Sequence, residues 1–198
     1  AVVGVGNVAV DVARILSRTV EELSTTDIAD HALKALERSR IKEVYMLGRR
    51  GPAQAAFTNP EVKELGELDG ADLQVREDEI ELDPLSQAEV EQSDDRKLRR
   101  KLEILREFAS RSPAGKPRTL GIRFLVSPVE LVGDHSGQVV GVRIVRNQLV
   151  TDGSGWLRAE ATDESEVLPV GLVFRSVGYH GVPLPGLPFD QKRGVVPN

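Results

Sequence analysis

Gly4, Gly6 and Ala9, within the run Gly4-Val5-Gly6-Asn7-Val8-Ala9, are the first residues whose types and spacing could do chemistry. The pattern is G-x-G-x-x-A, and it lies where apolar Val2-Val3 gives way to the helical periodicity of Asn7 to Arg18. In a strand–turn–helix setting each position has a task. Gly4 permits the tight turn, Gly6 lets the backbone approach a pyrophosphate with no Cβ in the way, and Ala9 lets the helix pack close to the strand. The helix N-terminus adds free N–H donors and about half a positive charge for the anion. The chemistry is recognition of a dinucleotide.

A second feature decides which dinucleotide. An NAD site has Asp or Glu at the end of the second strand, accepting from the ribose 2′-hydroxyl. Here Glu43-Val44-Tyr45-Met46-Leu47 reads as a short buried strand, and it ends in Gly48-Arg49-Arg50-Gly51. Arg49 and Arg50 put two guanidinium groups where the acid would stand, and such groups suit the geometry and charge of a 2′-phosphate. Each charge-assisted hydrogen bond contributes about 1.5–3 kcal/mol, enough for a preference of about a hundredfold over NAD. The expected cofactor is NADP, and the alternative is that both arginines are surface charges after a strand. The pair lies 43 positions beyond Gly6, against about 20 in the simple motif. A helix over Ile28 to Arg38, within the crossover, accounts for the excess.

The elements that must position these residues alternate in the first half. Val2-Val3 ends a strand, Asn7 to Arg18 is a helix, and Asp27 caps a helix from Ile28 to Arg38 with Leu33 and Leu36 facing inward. Asn59-Pro60-Glu61 opens another helix, with a capping residue, a proline in the first turn and an acid beside it. Strand–helix alternation implies a parallel sheet with right-handed crossovers. The second half reads as an antiparallel β-meander of Ile122 to Leu125, Val129 to Val132 and Val139 to Leu149. Tight turns are expected at Asp134-His135-Ser136-Gly137 and Asp152-Gly153-Ser154-Gly155. Gly171 to Val177 suits a last, buried strand of the main sheet. The expected fold is therefore α/β, a Rossmann-like doubly wound parallel sheet in three layers with an antiparallel β-meander.

Composition excludes several other classes. With no cysteine among 198 residues, the chain offers no disulfide, zinc-thiolate site, iron–sulfur ligation or redox-active thiol pair. No apolar run approaches the ~20 residues of a membrane span. Twenty-six basic against 31 acidic side chains give −5, which argues against general nucleic-acid binding. The lack of cysteine and of a secretory signal leads to the expectation of a cytoplasmic location. The charge is unevenly spread. Residues 60–95 hold 14 acidic and 2 basic side chains, and residues 96–118 hold 9 basic and 2 acidic ones. Within the basic stretch Leu98, Leu102, Leu105 and Phe108 recur at helical spacing, so Arg96 to Phe108 is an amphipathic helix with a cationic outer face. Such a face is either solvated surface or a dock for an acidic partner.

Three segments together resemble the ferredoxin–NADP reductases of the adrenodoxin-reductase type: Gly4 to Leu16, Gly48-Arg49-Arg50-Gly51-Pro52-Ala53-Gln54-Ala55-Ala56-Phe57-Thr58, and Arg175-Ser176-Val177-Gly178-Tyr179. The likeness runs over essentially all 198 residues. It implies an enzyme in which hydride passes between NADP(H) and a bound FAD, and electrons pass between the flavin and a ferredoxin or similar iron–sulfur protein. It implies that Val5, Gly6, Asn7 and Val8 line the pyrophosphate, that Arg49 and Arg50 hold the 2′-phosphate, and that Glu61 also contacts the nucleotide. The basic helix between Arg96 and Arg106 would dock the acidic ferredoxin. The FAD fingerprint of that family has no counterpart here, and the chain opens on the last residues of a strand. It therefore reads as the NADP-binding domain of a two-domain flavoenzyme, inactive alone, with residues 1–182 as the domain and the Pro-rich 183–198 as a linker returning to the FAD domain.

No side chain reads as a general acid, base or nucleophile, which suits chemistry carried by cofactors. Asp11 and Arg14, at i and i+3, are either an ordinary ion pair or a device that orients the arginine pair. His31, His135 and His180 lack metal-like spacing, Ser154 lacks G-x-S-x-G spacing, and Trp156 reads as a packing residue. Two other functions stay open at this stage. One is the NADPH-oxidising subunit of a glutamate-synthase-like flavoenzyme, against which the segment Gly51 to Thr58 argues. The other is a non-catalytic nucleotide-binding or docking module, for which the uneven charge is the best support.

Overall fold

Met46 and Leu47 are neighbours in sequence and both are buried, yet they belong to two different hydrophobic cores. Successive side chains of a strand point to opposite faces of its sheet, so this split means that the sheet is covered on both sides. The computed structural model describes residues 1–153 and 156–197. In chain order its elements are β1 (Val2–Val3), α1 (Asn7–Ser17), α2 (Val20–Ser24), α3 (Asp30–Glu37), β2 (Glu43–Leu47), a 3₁₀ turn (Pro52–Gln54) and α4 (Asn59–Leu65). They continue with β3 (Ala71–Val75), α5 (Glu77–Ile80), α6 (Pro84–Gln92), α7 (Arg96–Ala109), β4 (Arg118–Arg123), β5 (Val126–Gly133), β6 (Val139–Thr151), β7 (Leu157–Pro169) and β8 (Phe174–Arg175).

The strand order is β3-β4-β2-β1-β8, parallel throughout, with Val3 opposite Leu47 and Leu47 opposite Arg123. On one face Ala9, Val10 and Ala13 of α1, Val62 and Leu65 of α4, and Ile104, Leu105 and Phe108 of α7 pack on Val2, Val44, Met46, Leu120 and Ile122. On the other, Val126, Val142, Ile144 and Leu168 of the antiparallel β5-β6-β7 sheet close over Leu47, with Val3 and Tyr45 at the margin. The result is three layers: helices, parallel sheet and meander.

Several expected elements differ in detail. Between α1 and β2 the crossover carries two helices, α2 and α3, where one is expected. Thr19 and Glu22 form a reciprocal capping box at the start of α2, and α3 begins at Asp30 behind Ala29 without a side-chain cap, so Asp27 caps nothing. Leu33 and Leu36 are only half-buried on α3. Thr58, not Asn59, is the N-cap of α4; the Asn59 side chain instead donates to the Lys97 carbonyl at 3.0 Å. Ile122 belongs to the parallel strand β4, between β3 and β2, and not to the meander, whose third strand is β7. The last strand is a two-residue edge strand with Arg175 exposed and Val177 65% exposed, since among the described residues no strand pairs on its outer side. Asp134 closes the β5–β6 turn by accepting from the N–H groups of Ser136 and Gln138. Ser154 and Gly155 of the other expected turn lie outside the described residues. Beyond β8, Gly181 donates to Gly194 O at 2.8 Å and Asp190 bridges to Val195, so residues 181–195 fold back on themselves.

The acidic stretch also acquires a structural account. Asp83 and Asp95 cap α6 and α7, Glu61 and Glu64 pair with Arg14, and Glu79 is buried. Asp72 accepts from three successive N–H groups, of Ala114, Gly115 and Lys116, which hold its carboxyl below the usual carboxylate range.

Candidate nucleotide-binding site

In open α/β sheets ligands lie outside the carboxyl ends of the strands, where the chain leaves to opposite sides. Here that point is the end of β1, which has β2 on one side and β8 on the other. The glycine turn sits there. Gly4 has φ +131, and a Cβ on it would fall 2.0 Å from the Ser176 carbonyl oxygen, so glycine is required both by backbone conformation and by the close pass of the β8 segment. Gly6 is the N-cap of α1, with no side chain capping the first turn. A Cβ there would meet only Ala56, at 4.0 Å, so the space in front of Gly6 is not filled by protein. Asn7 and Val8 are exposed on the first turn, beside N–H groups free to point at an anion.

The turn is braced from behind by the Gly51–Thr58 segment. Ala56 and Phe57 both donate their N–H groups to the Val5 carbonyl at 3.0 Å, and Thr58 donates to Asn7 Oδ1 at 2.9 Å. Lys101 of α7 donates its ammonium to the Ala55 carbonyl at 2.5 Å, above the Phe57 ring. Burial lowers the Lys101 pKa from its ordinary value. One cation of the basic helix is thus used internally, while Arg96, Lys97, Arg99, Arg100 and Arg106 remain exposed.

Arg49 and Arg50 follow β2 directly, next to the glycine turn. Gly4 N–H donates to Leu47 O at 2.9 Å, which couples the two turns. Arg49 is exposed and Arg50 half-buried, and among the described residues neither guanidinium has a carboxylate partner. Two cations without counter-charge therefore stand beside an uncapped helix start. The arrangement can bind a phosphorylated ribose and a pyrophosphate together.

Glu61 is placed differently. It lies in the first turn of α4, 3.4 Å from Arg14 of α1, a guanidinium that Asp11 and Glu64 also engage. The Asp11–Arg14 pair is thus part of a helix–helix ion cluster and is not directed at Arg49 or Arg50. His31, His135 and His180 are all exposed. Trp156 is 73% exposed and is not the packing residue expected, because it lies at the far end of the β6–β7 hairpin beyond both cores.

Sequence reasoning missed a buried ion network next to the strand that pairs with β2. Glu79 of α5 is fully buried; it accepts from Arg123 Nε at 2.8 Å and from the Phe124 N–H at 2.7 Å. Arg123 also donates to Glu166 of β7 at 2.8 Å, and Arg146 of β6 reaches Glu79 at 3.5 Å. This network joins α5, the parallel sheet and the meander. Nothing in the type of Glu79 separates it from its neighbours in the run Glu77-Asp78-Glu79-Ile80-Glu81.

The fold is that of the dinucleotide-binding α/β proteins, a five-stranded parallel sheet with a three-stranded antiparallel sheet packed on it. More particularly, the chain is homologous over its full length to a domain-sized part of the NADPH-dependent ferredoxin and adrenodoxin reductases. It is 47% identical over 197 residues to the NADPH-ferredoxin reductase FprA of Mycobacterium tuberculosis, covering all of this chain and 42% of that protein. It is 39% identical over 201 residues to the mitochondrial NADPH:adrenodoxin oxidoreductase of Arabidopsis thaliana, again covering 42% of it. The solved structure of Mycobacterium tuberculosis FprA in complex with NADPH superposes with a TM-score of 0.88 at 46% identity, over all of this chain and 42% of that one. The chain thus spans about two fifths of the length of the relatives it matches. No protein-family model matches it. Among the described residues no helix is long and apolar enough to cross a membrane.

Proposed function

We propose that this chain is the NADP(H)-binding domain of an FAD-dependent ferredoxin–NADP(+) reductase acting in the cytoplasm. The observation that carries the reading is the juxtaposition of the open glycine turn at Gly6 with the unpaired Arg49 and Arg50 at the ends of adjacent parallel strands. Its likeness to a protein solved with NADPH supports it. In this reading the N–H groups of the first turn of α1, with Val5, Gly6, Asn7 and Val8, hold the pyrophosphate. Gly4 keeps the turn open, Arg49 and Arg50 bind the 2′-phosphate, and Glu61 contacts the nucleotide from α4 while anchored through Arg14.

The chemistry supplied by the bound cofactors is hydride transfer between nicotinamide and flavin, and the residues of this chain bind and orient the nucleotide for it. FAD is assigned to the part of such reductases that this chain does not span, with residues 1–182 as the NADP domain and 183–198 as the connection. Electrons are exchanged with a ferredoxin, docked on the exposed cations of α7 between Arg96 and Arg106. The glutamate-synthase reading shares the same nucleotide site and differs only in the electron acceptor.

The direct check is the fluorescence of reduced nicotinamide nucleotides titrated with the 198-residue chain. NADPH should bind at least about tenfold more tightly than NADH. Equal binding of the two would overturn the assignment.

A further inference from the structure

Gly48, Arg49 and Arg50 form the turn that presents the two guanidinium groups, and all three of their carbonyl oxygens are taken by donors from the meander side of the molecule. Val126 N–H donates to Gly48 O at 3.0 Å, Asn147 Nδ2 donates to Arg49 O at 2.8 Å, and Leu125 N–H donates to Arg50 O at 3.1 Å. The Gly48 N–H in turn donates to Arg123 O at 2.9 Å. Gly48 is buried and Arg50 half-buried, so their carbonyls require partners, but Arg49 is exposed and water would satisfy its carbonyl at little cost; a buried side chain holds it instead.

Asn147 is the only side chain in this set. It is 4% exposed, a polar residue in the middle of β6 where the neighbouring inward positions are Val142 and Ile144. Its second Nδ2 hydrogen goes to Ser127 Oγ at 2.8 Å, and its backbone N–H goes to Leu125 O at 2.7 Å. Leu125 itself sits at φ 55, the sole non-glycine residue with positive φ among the described residues. Backbone in that region costs on the order of 1 kcal/mol or more and persists where surrounding contacts dictate it. Those contacts here are the bonds from Leu125 to Arg50 and from Asn147 to Leu125. A buried amide and a strained residue therefore converge on one short turn.

We propose that Asn147 is a positioning residue for 2′-phosphate recognition: its side-chain amide fixes the Arg49 carbonyl beside the Leu125 backbone that its own N–H already holds, and so sets the direction in which both guanidinium groups leave the turn. The meander is then the part of the fold that sets cofactor selectivity. This rests on the assignment of Arg49 and Arg50 to the 2′-phosphate. Because the donor acts on the arginine turn and not on the glycine turn, its loss affects recognition of the 2′-phosphate and spares the 5′-phosphate.

The test uses the 198-residue chain, titrated calorimetrically with 2′-phosphoadenosine 5′-phosphate and with 5′-AMP. Asn147→Leu removes the donor at similar volume, and Ser127→Ala releases the amide from its other anchor without touching the Arg49 carbonyl. Asn147→Leu should weaken the 2′-phosphate compound about fivefold or more and leave 5′-AMP within about twofold, with Ser127→Ala shifting the same ratio less. An unchanged ratio in Asn147→Leu, while Arg49→Ala/Arg50→Ala abolishes the preference, would overturn the positioning role and leave the arginine assignment standing. Equal loss of both ligands in both variants would show a merely structural role. A wild-type chain with no preference for the 2′-phosphate removes the arginine assignment itself, and this proposal with it.

Discussion

The two turns that meet at the carboxyl ends of β1 and β2 are built by opposite means. The Gly4–Ala9 turn is shaped by its own residues. A glycine takes a conformation closed to other residues, a second glycine leaves room in front of the helix, and the N–H groups of that helix are the proposed anion donors. Its braces, at Ala56, Phe57 and Thr58, come from one neighbouring segment. The Gly48–Arg50 turn has no comparable local geometry and is held by Leu125, Val126 and Asn147, 75 to 98 positions away in sequence, with the Glu79 network behind them. Backbone dipoles bind an anion wherever a helix starts. Guanidinium groups on long flexible stems must be aimed, and aiming requires a scaffold outside the turn.

The comparison can be broken most forcefully at Glu79. Removing its carboxylate strands Arg123 in a buried setting and leaves the Phe124 N–H unpaired, so Glu79→Ala should cost about 3–5 kcal/mol of stability in urea unfolding. A loss below about 1 kcal/mol would mean that Glu166 alone neutralises Arg123. Gly4→Ala comes next. The added Cβ meets the Ser176 carbonyl and the backbone is forced into a strained region, so about 3 kcal/mol should be lost. Because this turn is the proposed site of the 5′-phosphate common to both adenosine ligands, binding of the 2′-phosphate compound and of 5′-AMP should fall together. That pattern is the opposite of the one expected for Asn147→Leu.

What could be read from the sequence follows the same division. The G-x-G-x-x-A turn, the strand ending in Gly48-Arg49-Arg50-Gly51, the α1 and α7 helices and the presence of a meander were legible because each is encoded within about a dozen contiguous residues. The helix α2 was missed: its start is marked by Thr19 and Glu22, but its five residues are too few to show a helical period. The β3 strand Ala71–Val75 hides in an acidic stretch, because only alternate residues face the core and Asp72 and Gln74 fall between them. The length of β8 was misjudged because an apolar run reports burial potential and not an edge position in the sheet. Glu79 and Asn147 were out of reach for a different reason. Their roles depend on partners in other elements, and a Glu in an acidic run or an Asn in a strand is ordinary until those elements are packed.

The most direct measurement is calorimetric titration of the Arg49→Ala/Arg50→Ala chain beside the wild type, with 2′-phosphoadenosine 5′-phosphate and 5′-AMP. These ligands probe the adenosine end alone, so the flavin-binding part of such reductases is not needed. The wild type should prefer the 2′-phosphate compound by at least about tenfold, and the double variant should bind both ligands alike, with 5′-AMP unchanged. A preference that survives loss of both guanidinium groups would contradict the account.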